Sequence, residues 1–180
     1  MKKIFTLLTA CALTLAANSQ TYFSDDFEGG TLTTNEAWTV QSISNPDAID
    51  EWVYGTVSGN YAKCSNHTGG AGGIDHVLNS WLISPSMNLS SATAVDLSFD
   101  NVTRYGSLNI KVQISTDYTG IGAPSAANWT DITNLFTLDT DDFSWSLVTA
   151  GTADISAYIS ANTYVAFEYT GSTTDGPTWE

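Results

Sequence analysis

Strict alternation of apolar and polar residues, repeated along the chain, restricts it to an all-β fold. Val95, Leu97 and Phe99 fall on one side of an extended segment, and Asp96, Ser98 and Asp100 fall on the other. Ile110, Val112 and Ile114 against Asn109, Lys111 and Gln113 repeat the pattern. Val165, Phe167 and Tyr169 against Ala166 and Glu168 repeat it again. Three half-buried strands of this kind can form the inner face of a sandwich. Weaker strand patterns cover 22–28, 37–43, 51–57, 60–65, 78–84, 129–133 and 143–149, punctuated by Gly, Asn, Asp, Ser and Pro. The only helical turn predicted is Ala153 to Tyr158. About ten short strands at this spacing predict two packed antiparallel sheets, and strand count favours a jelly roll over an immunoglobulin-like sandwich.

The first residues read as an export signal. Lys2 and Lys3 precede an apolar run from Ile4 to Ala17, and small residues before Gln20 predict cleavage after Ser19. This assigns 1–19 to a secretory signal peptide and 20–180 to one β-sandwich domain. Leu8-Thr9-Ala10-Cys11 gives an alternative, a lipoprotein box with Cys11 as the anchored residue, although the apolar run before it is short. Loss of Lys2 and Lys3 leaves Lys63, Arg104 and Lys111 against 19 acidic residues, moving the formal charge from −14 to −16. Such a field repels nucleic acid and anionic lipid and favours cations or neutral partners such as sugars. Cys64 is then the only mature cysteine, so the core carries the fold without an internal disulfide. No later apolar run is long enough to span a bilayer as a helix.

An ordered series of motifs resembles the choice-of-anchor J and cleaved-adhesin domains of secreted bacterial proteins. It runs from Phe23-Ser24-Asp25-Asp26-Phe27-Glu28-Gly29-Gly30 through Trp38 to Asn79-Ser80-Trp81-Leu82-Ile83-Ser84-Pro85. It continues with Leu97-Ser98-Phe99-Asp100, Val112-Gln113-Ile114-Ser115-Thr116-Asp117-Tyr118, Asn128-Trp129-Thr130-Asp131, Asp154-Ile155-Ser156 and Val165-Ala166-Phe167-Glu168-Tyr169. The resemblance implies a jelly-roll sandwich similar to lectin-like and carbohydrate-binding modules, usually non-catalytic and often beside further domains. Members commonly continue into a closing Ile-Asp-Asn or Ile-Asp-Asp strand. This chain ends at Thr178-Trp179-Glu180, so a fragment truncated before its final strand is expected, with one sheet edge open.

Two outward carboxylates on a first strand, Asp26 and Glu28, could converge on one hard cation, because Ca²⁺ takes six to eight oxygen ligands. The resemblance implies a structural calcium built from an acidic first strand, a loop and an Asp of the closing strand. Asn66, Asp75 and Asn79 are the loop candidates, since the Gly-rich stretch 66–77 can fold back toward the first strand. The alternative is that the acids solvate an edge. Asp139-Thr140-Asp141-Asp142 lacks the downstream Gly and Glu of an EF-hand loop and reads as a hairpin turn. His67 and His76 match no zinc spacing and read as surface hydrogen-bonding residues.

Sugar recognition uses aromatic faces with polar neighbours. Trp52, Tyr54, Tyr105 and Tyr118 lie in or beside predicted loops, and Arg104, the sole arginine, adjoins Tyr105. Trp38, Trp81 and Trp129 fit the resemblance as framework, while Trp145 could be either. No Gly-x-Ser-x-Gly elbow occurs, and the many acidic pairs single out none as catalytic. The expectation is a secreted, non-catalytic carbohydrate-binding or adhesion module with a structural calcium and a polysaccharide or glycoconjugate partner. The alternatives are a structural spacer within a larger secreted protein, or a glycan hydrolase.

Overall fold

The structure is a computed structural model that describes residues 20–33, 37–57, 59–107, 110–140 and 144–180. The expected signal peptide, with Cys11, lies outside the described residues, as do Asp141 and Asp142. Among the described residues, thirteen strands follow in order. They are β1 (Thr39–Ser44), β2 (Val53–Gly55), β3 (Tyr61–Ser65), β4 (His67–Thr68), β5 (Ile74–Asp75), β6 (Leu78–Ile83) and β7 (Asp96–Asn101). After these come β8 (Thr103–Arg104), β9 (Ile110–Ser115), β10 (Thr130–Asp131), β11 (Val148–Asp154), β12 (Tyr164–Gly171) and β13 (Thr178–Trp179). Short 3-10 turns at Pro124–Ala126, Thr133–Leu135 and Ser156–Tyr158 interrupt the loops. The helical turn expected from Ala153 thus shrinks to its last residues, because β11 runs on through Asp154.

Every pairing among the described strands is antiparallel. A five-stranded sheet has the order β1-β6-β12-β9-β10, a four-stranded sheet has the order β2-β3-β13-β8, and β11-β7 and β4-β5 form two small pairs. The final strand, β13, sits between β3 and β8 rather than at an edge. In β11 the register shifts between Thr149 and Thr152, where Gly151 takes φ +91. A residue with a Cβ would be strained there, so glycine permits the bulge that bends the strand.

Alternation explains the main core. Val112, Ile114, Val165, Phe167, Tyr169 and Leu82 turn inward from the five-stranded sheet and are buried. Phe167 on β12 meets Phe99 of β7 at 5.0 Å between ring centroids and Trp179 of β13 at 5.3 Å, which locks the sheets face to face. Aromatics of this size each bury roughly 150–250 Å² and dominate such a core. Cys64 is fully buried in the same cluster, and burial raises its thiol pKa, leaving it inert.

The outer face of the five-stranded sheet departs from simple polar exposure. A second cluster of Trp81, Ile83, Tyr118, Tyr164 and Ala166 covers part of it, capped by Ala127 and Trp129 from the loop after β9. Gln113, expected outside, is buried beneath that cover.

Candidate functional site

The stretch 22–28 is a turn, not the strand its acidic pattern suggests. Asp25 Oδ1 accepts the Phe27 N–H at 2.7 Å, and Asp26 Oδ1 accepts the Glu28 N–H at 3.1 Å. These side-chain bonds compete with ladder formation, and Phe27 takes φ +56. Phe23 and Phe27 both pack on Trp38, whose indole N–H donates to Asp25 Oδ2 at 2.6 Å. Asp25 therefore ties the N-terminal segment to the core, while Asp26 and Glu28 are exposed.

The other three calcium candidates are engaged elsewhere. Asn66 is fully buried: its Oδ1 accepts the Tyr169 hydroxyl at 2.5 Å, and its Nδ2 donates to the carbonyls of His76, Ser172 and Asp175. Asp75 pairs with His67 at 2.6 Å, across the β4–β5 hairpin that forms inside the Gly-rich stretch. Asn79 donates to Glu168. No three or more His, Cys, Asp or Glu side chains among the described residues are grouped to hold a metal ion. Asn66, Asp75 and Asn79 each serve a different partner, away from the exposed carboxylates of Asp26 and Glu28. Of the 139–142 run, Asp139 is buried and accepts the Thr103 N–H at 2.7 Å, a structural tie rather than a solvated turn.

His67 and His76 act as hydrogen-bonding residues. His67 is held above its ordinary pKa first by the Gly70 carbonyl and then by Asp75. His76 bridges Asp47 and Thr68.

Two of the ligand candidates turn inward, which corrects their expected role. Trp52 is buried, meets Trp179 edge-on and donates its indole N–H to the Ser80 carbonyl. Tyr118 is buried against Trp129 and Tyr164, with its hydroxyl on the Gly122 carbonyl. Both stand in loops by sequence, yet their rings plug the core edge and offer no open face. Tyr54 is half-buried against the main core.

Arg104 and Tyr105 do form a surface feature, and Trp145 joins them. Tyr105 is 62% exposed and Trp145 49% exposed, with ring centroids 5.8 Å apart at 69°. The buried Arg104 guanidinium carbon lies 4.8 Å from the Tyr105 centroid and 5.3 Å from that of Trp145. The cation is attracted to both π faces and braces an exposed aromatic corner. Tyr105 takes φ +68, an uncommon conformation that projects its ring outward.

A second feature was not expected from the sequence. On the outer face of the five-stranded sheet, Ile43, Asn79, Trp81, Trp129 and Glu168 line an open groove of about 260 Å³, bordered by the 124–127 turn. Trp81 and Trp129 meet edge-to-face at 5.2 Å. Their indole N–H groups donate to Asn79 Oδ1 and the Pro124 carbonyl, both at 3.0 Å. Glu168 accepts from Asn79 Nδ2 at 3.0 Å and from Gln113 Nε2 at 2.9 Å. The usable signal was that Trp81 and Glu168 fall on the face opposite the core residues of β6 and β12.

Comparison with known proteins places this fold. The model of a family described as "Domain of unknown function (DUF5017)" matches residues 86–179. No curated protein matches the chain. Among solved structures, the K1 cleaved adhesin domain of Lys-gingipain (Kgp) from Porphyromonas gingivalis W83 is similar, with a TM-score of 0.58 at 16% identity. That match covers 89% of this chain and 95% of the adhesin domain. The K3 cleaved adhesin domain of the same protein gives a TM-score of 0.54 at 16% identity, covering 88% of this chain and 94% of that one. At such identity the likeness is one of fold.

Proposed function

The chain belongs to the DUF5017 family, and from that premise and its adhesin-like all-β fold we propose that it is a secreted, non-catalytic adhesion module of jelly-roll type that binds carbohydrate. The observation that carries the reading is the aromatic corner of Tyr105 and Trp145 over Arg104. Two perpendicular exposed rings offer a stacking face to a pyranose, and the cation beneath fixes their angle. The groove and a shallow hollow at Asp131, Thr133 and Asn134 are each lined by one carboxylate, and neither offers the facing pair that glycoside hydrolysis needs. The acidic chain, whose first residues read as an export signal and whose series of motifs is similar to choice-of-anchor J and cleaved-adhesin domains, supports a place outside the cell or on its surface. No helix among the described residues is long and apolar enough to cross a membrane.

A glycan array tests this reading, using residues 20–180 as a folded protein with and without chelator. Signal retained in chelator and lost in the Tyr105→Ser, Trp145→Ser double variant is the expected result. Signal that disappears in chelator would support a calcium role. Silence from a protein with a cooperative unfolding transition would overturn carbohydrate binding and leave a spacer or a protein-binding module.

A further inference from the structure

The groove on the outer face of the five-stranded sheet has a different chemistry from the aromatic corner. Its two indole N–H groups are spent on Asn79 Oδ1 and the Pro124 carbonyl. The Asn79 amide is spent on both sides, accepting from Trp81 and donating to Glu168. Trp81 is buried at the floor, so the half-buried Trp129 ring and the spare lone pairs of the Glu168 carboxylate are left to meet a ligand, with the Ser125 hydroxyl at the rim. The complement of such a surface is a group that only donates and carries positive charge.

No ion pair among the described residues includes Glu168: the pairs are His67 with Asp75 and His76 with Asp47, none of which lines the groove. Lys111 stands opposite Glu168 across the β9–β12 pair, but it is exposed and lies within electrostatic reach of Asp131. Two side-chain amides, from Asn79 and Gln113, hold the carboxylate in place, and Trp129 is wedged between Trp81 and Tyr118 at 5.2 and 5.4 Å. The site is preorganised rather than waiting to collapse. Its volume of about 260 Å³ suits one long side chain rather than a large ligand. Outside it, a formal charge of −14 draws cations toward the surface.

We propose that this groove receives one lysine or arginine side chain from a basic peptide segment of a partner protein. The aliphatic stem lies against Ile43, the cationic head faces the Trp129 ring, and its N–H groups donate to Glu168. The proposal does not depend on the carbohydrate reading, since it uses another sheet and other residues.

The full chain, labelled with ¹⁵N, would be titrated with a capped tetralysine peptide while the indole N–H signals of Trp81 and Trp129 are followed. The same peptide with every lysine acetylated, and methyl glucoside, serve as neutral probes. Saturating shifts of both indoles with the cationic peptide alone are expected. Glu168→Gln should weaken binding about tenfold, the scale of one charge-assisted hydrogen bond. Asp96→Asn removes the same charge from an exposed site on β7 and should leave affinity within about twofold. Trp129→Ala should abolish the shift of Trp81, and Trp129→Phe should keep most of the affinity. Equal losses in Glu168→Gln and Asp96→Asn would overturn the proposal in favour of a diffuse field. Saturation of both indoles by methyl glucoside, with the basic peptide silent, would overturn it in favour of a sugar site.

Discussion

The two aromatic surfaces of this domain are built on opposite principles. In the groove, Trp81 and Trp129 are held from behind by other rings, and each indole N–H is tied to a fixed acceptor. At the corner, Tyr105 and Trp145 stand largely in solvent and share one cation as their brace. A locked site loses little entropy on binding and discriminates by shape and charge. A propped site can re-aim its rings and tolerate related ligands. Under the two proposals, the contrast would give selectivity to the groove and breadth to the corner, and it also predicts how each should fail.

The largest effect should come from Trp81→Ala. Trp81 is both the groove floor and a member of the second cluster, so its loss should cost roughly 3–5 kcal/mol in chemical denaturation. Stability and groove binding would fall together, while glycan binding at the corner would persist wherever the protein stays folded. Tyr169→Phe is the opposite break. The Tyr169 hydroxyl is shared between Asn66 Oδ1 and the Pro177 carbonyl beneath the 172–177 turn. That turn carries Asp175, which accepts the Ser107 N–H next to the corner. Leaving these buried acceptors without their donor should cost about 1–3 kcal/mol and loosen the corner alone. Indole signals of Trp81 and Trp129 that moved in Tyr169→Phe would show the two surfaces to be coupled.

The same contrast shows what the sequence could reveal. Period-two alternation located β7, β9 and β12 because a strand packed on one side must sort its residues, as Leu97 and Phe99 are sorted from Asp96 and Ser98. It could not reveal that the far side of β6 and β12 is itself roofed, because that depends on the loop carrying Trp129 folding back across the sheet. The acidic stretch at 25–28 misled for a local reason. Short carboxylate side chains bonded their own backbone and turned a predicted strand into a turn. Trp52 and Tyr118 misled for a packing reason, since a loop position says nothing about which way a ring points. Arg104 and Tyr105 were legible as neighbours, but Trp145 reaches them only through tertiary structure.

A smaller effect tests how the groove wall is held. Asp117 accepts from the Asn128 amide at 2.6 Å and from the Asn128 N–H at 2.9 Å, just before Trp129. These bonds, the side-chain amide first, then the backbone N–H and the Ser115 hydroxyl, hold the Asp117 carboxyl below its ordinary range. A lowered folded-state pKa means the contribution is complete above the unfolded carboxylate's pKa of about 3.9 and disappears as pH falls through the folded value. Asp117→Asn should therefore be less stable than the parent at neutral pH, and the gap in urea midpoint should close below about pH 4. A gap independent of pH would assign the loss to altered packing instead.

The smallest stability change should accompany the sharpest functional one. Tyr105 sits at φ +68, where a bulky side chain is strained and glycine is not. Tyr105→Gly removes that strain but also gives up the cation–π contact with Arg104, worth about 0.5–1 kcal/mol at an exposed site, and adds chain entropy to the unfolded state. These terms oppose one another, so the unfolding free energy should stay within about 1 kcal/mol of the parent. Glycan binding at the corner should nevertheless be lost, because one of its two rings is gone. That outcome would mean the strained Tyr105 is kept for something other than stability. If Tyr105→Gly instead unfolded the domain while the array signal survived in its folded fraction, the corner would be a structural brace and the contrast with the groove would disappear.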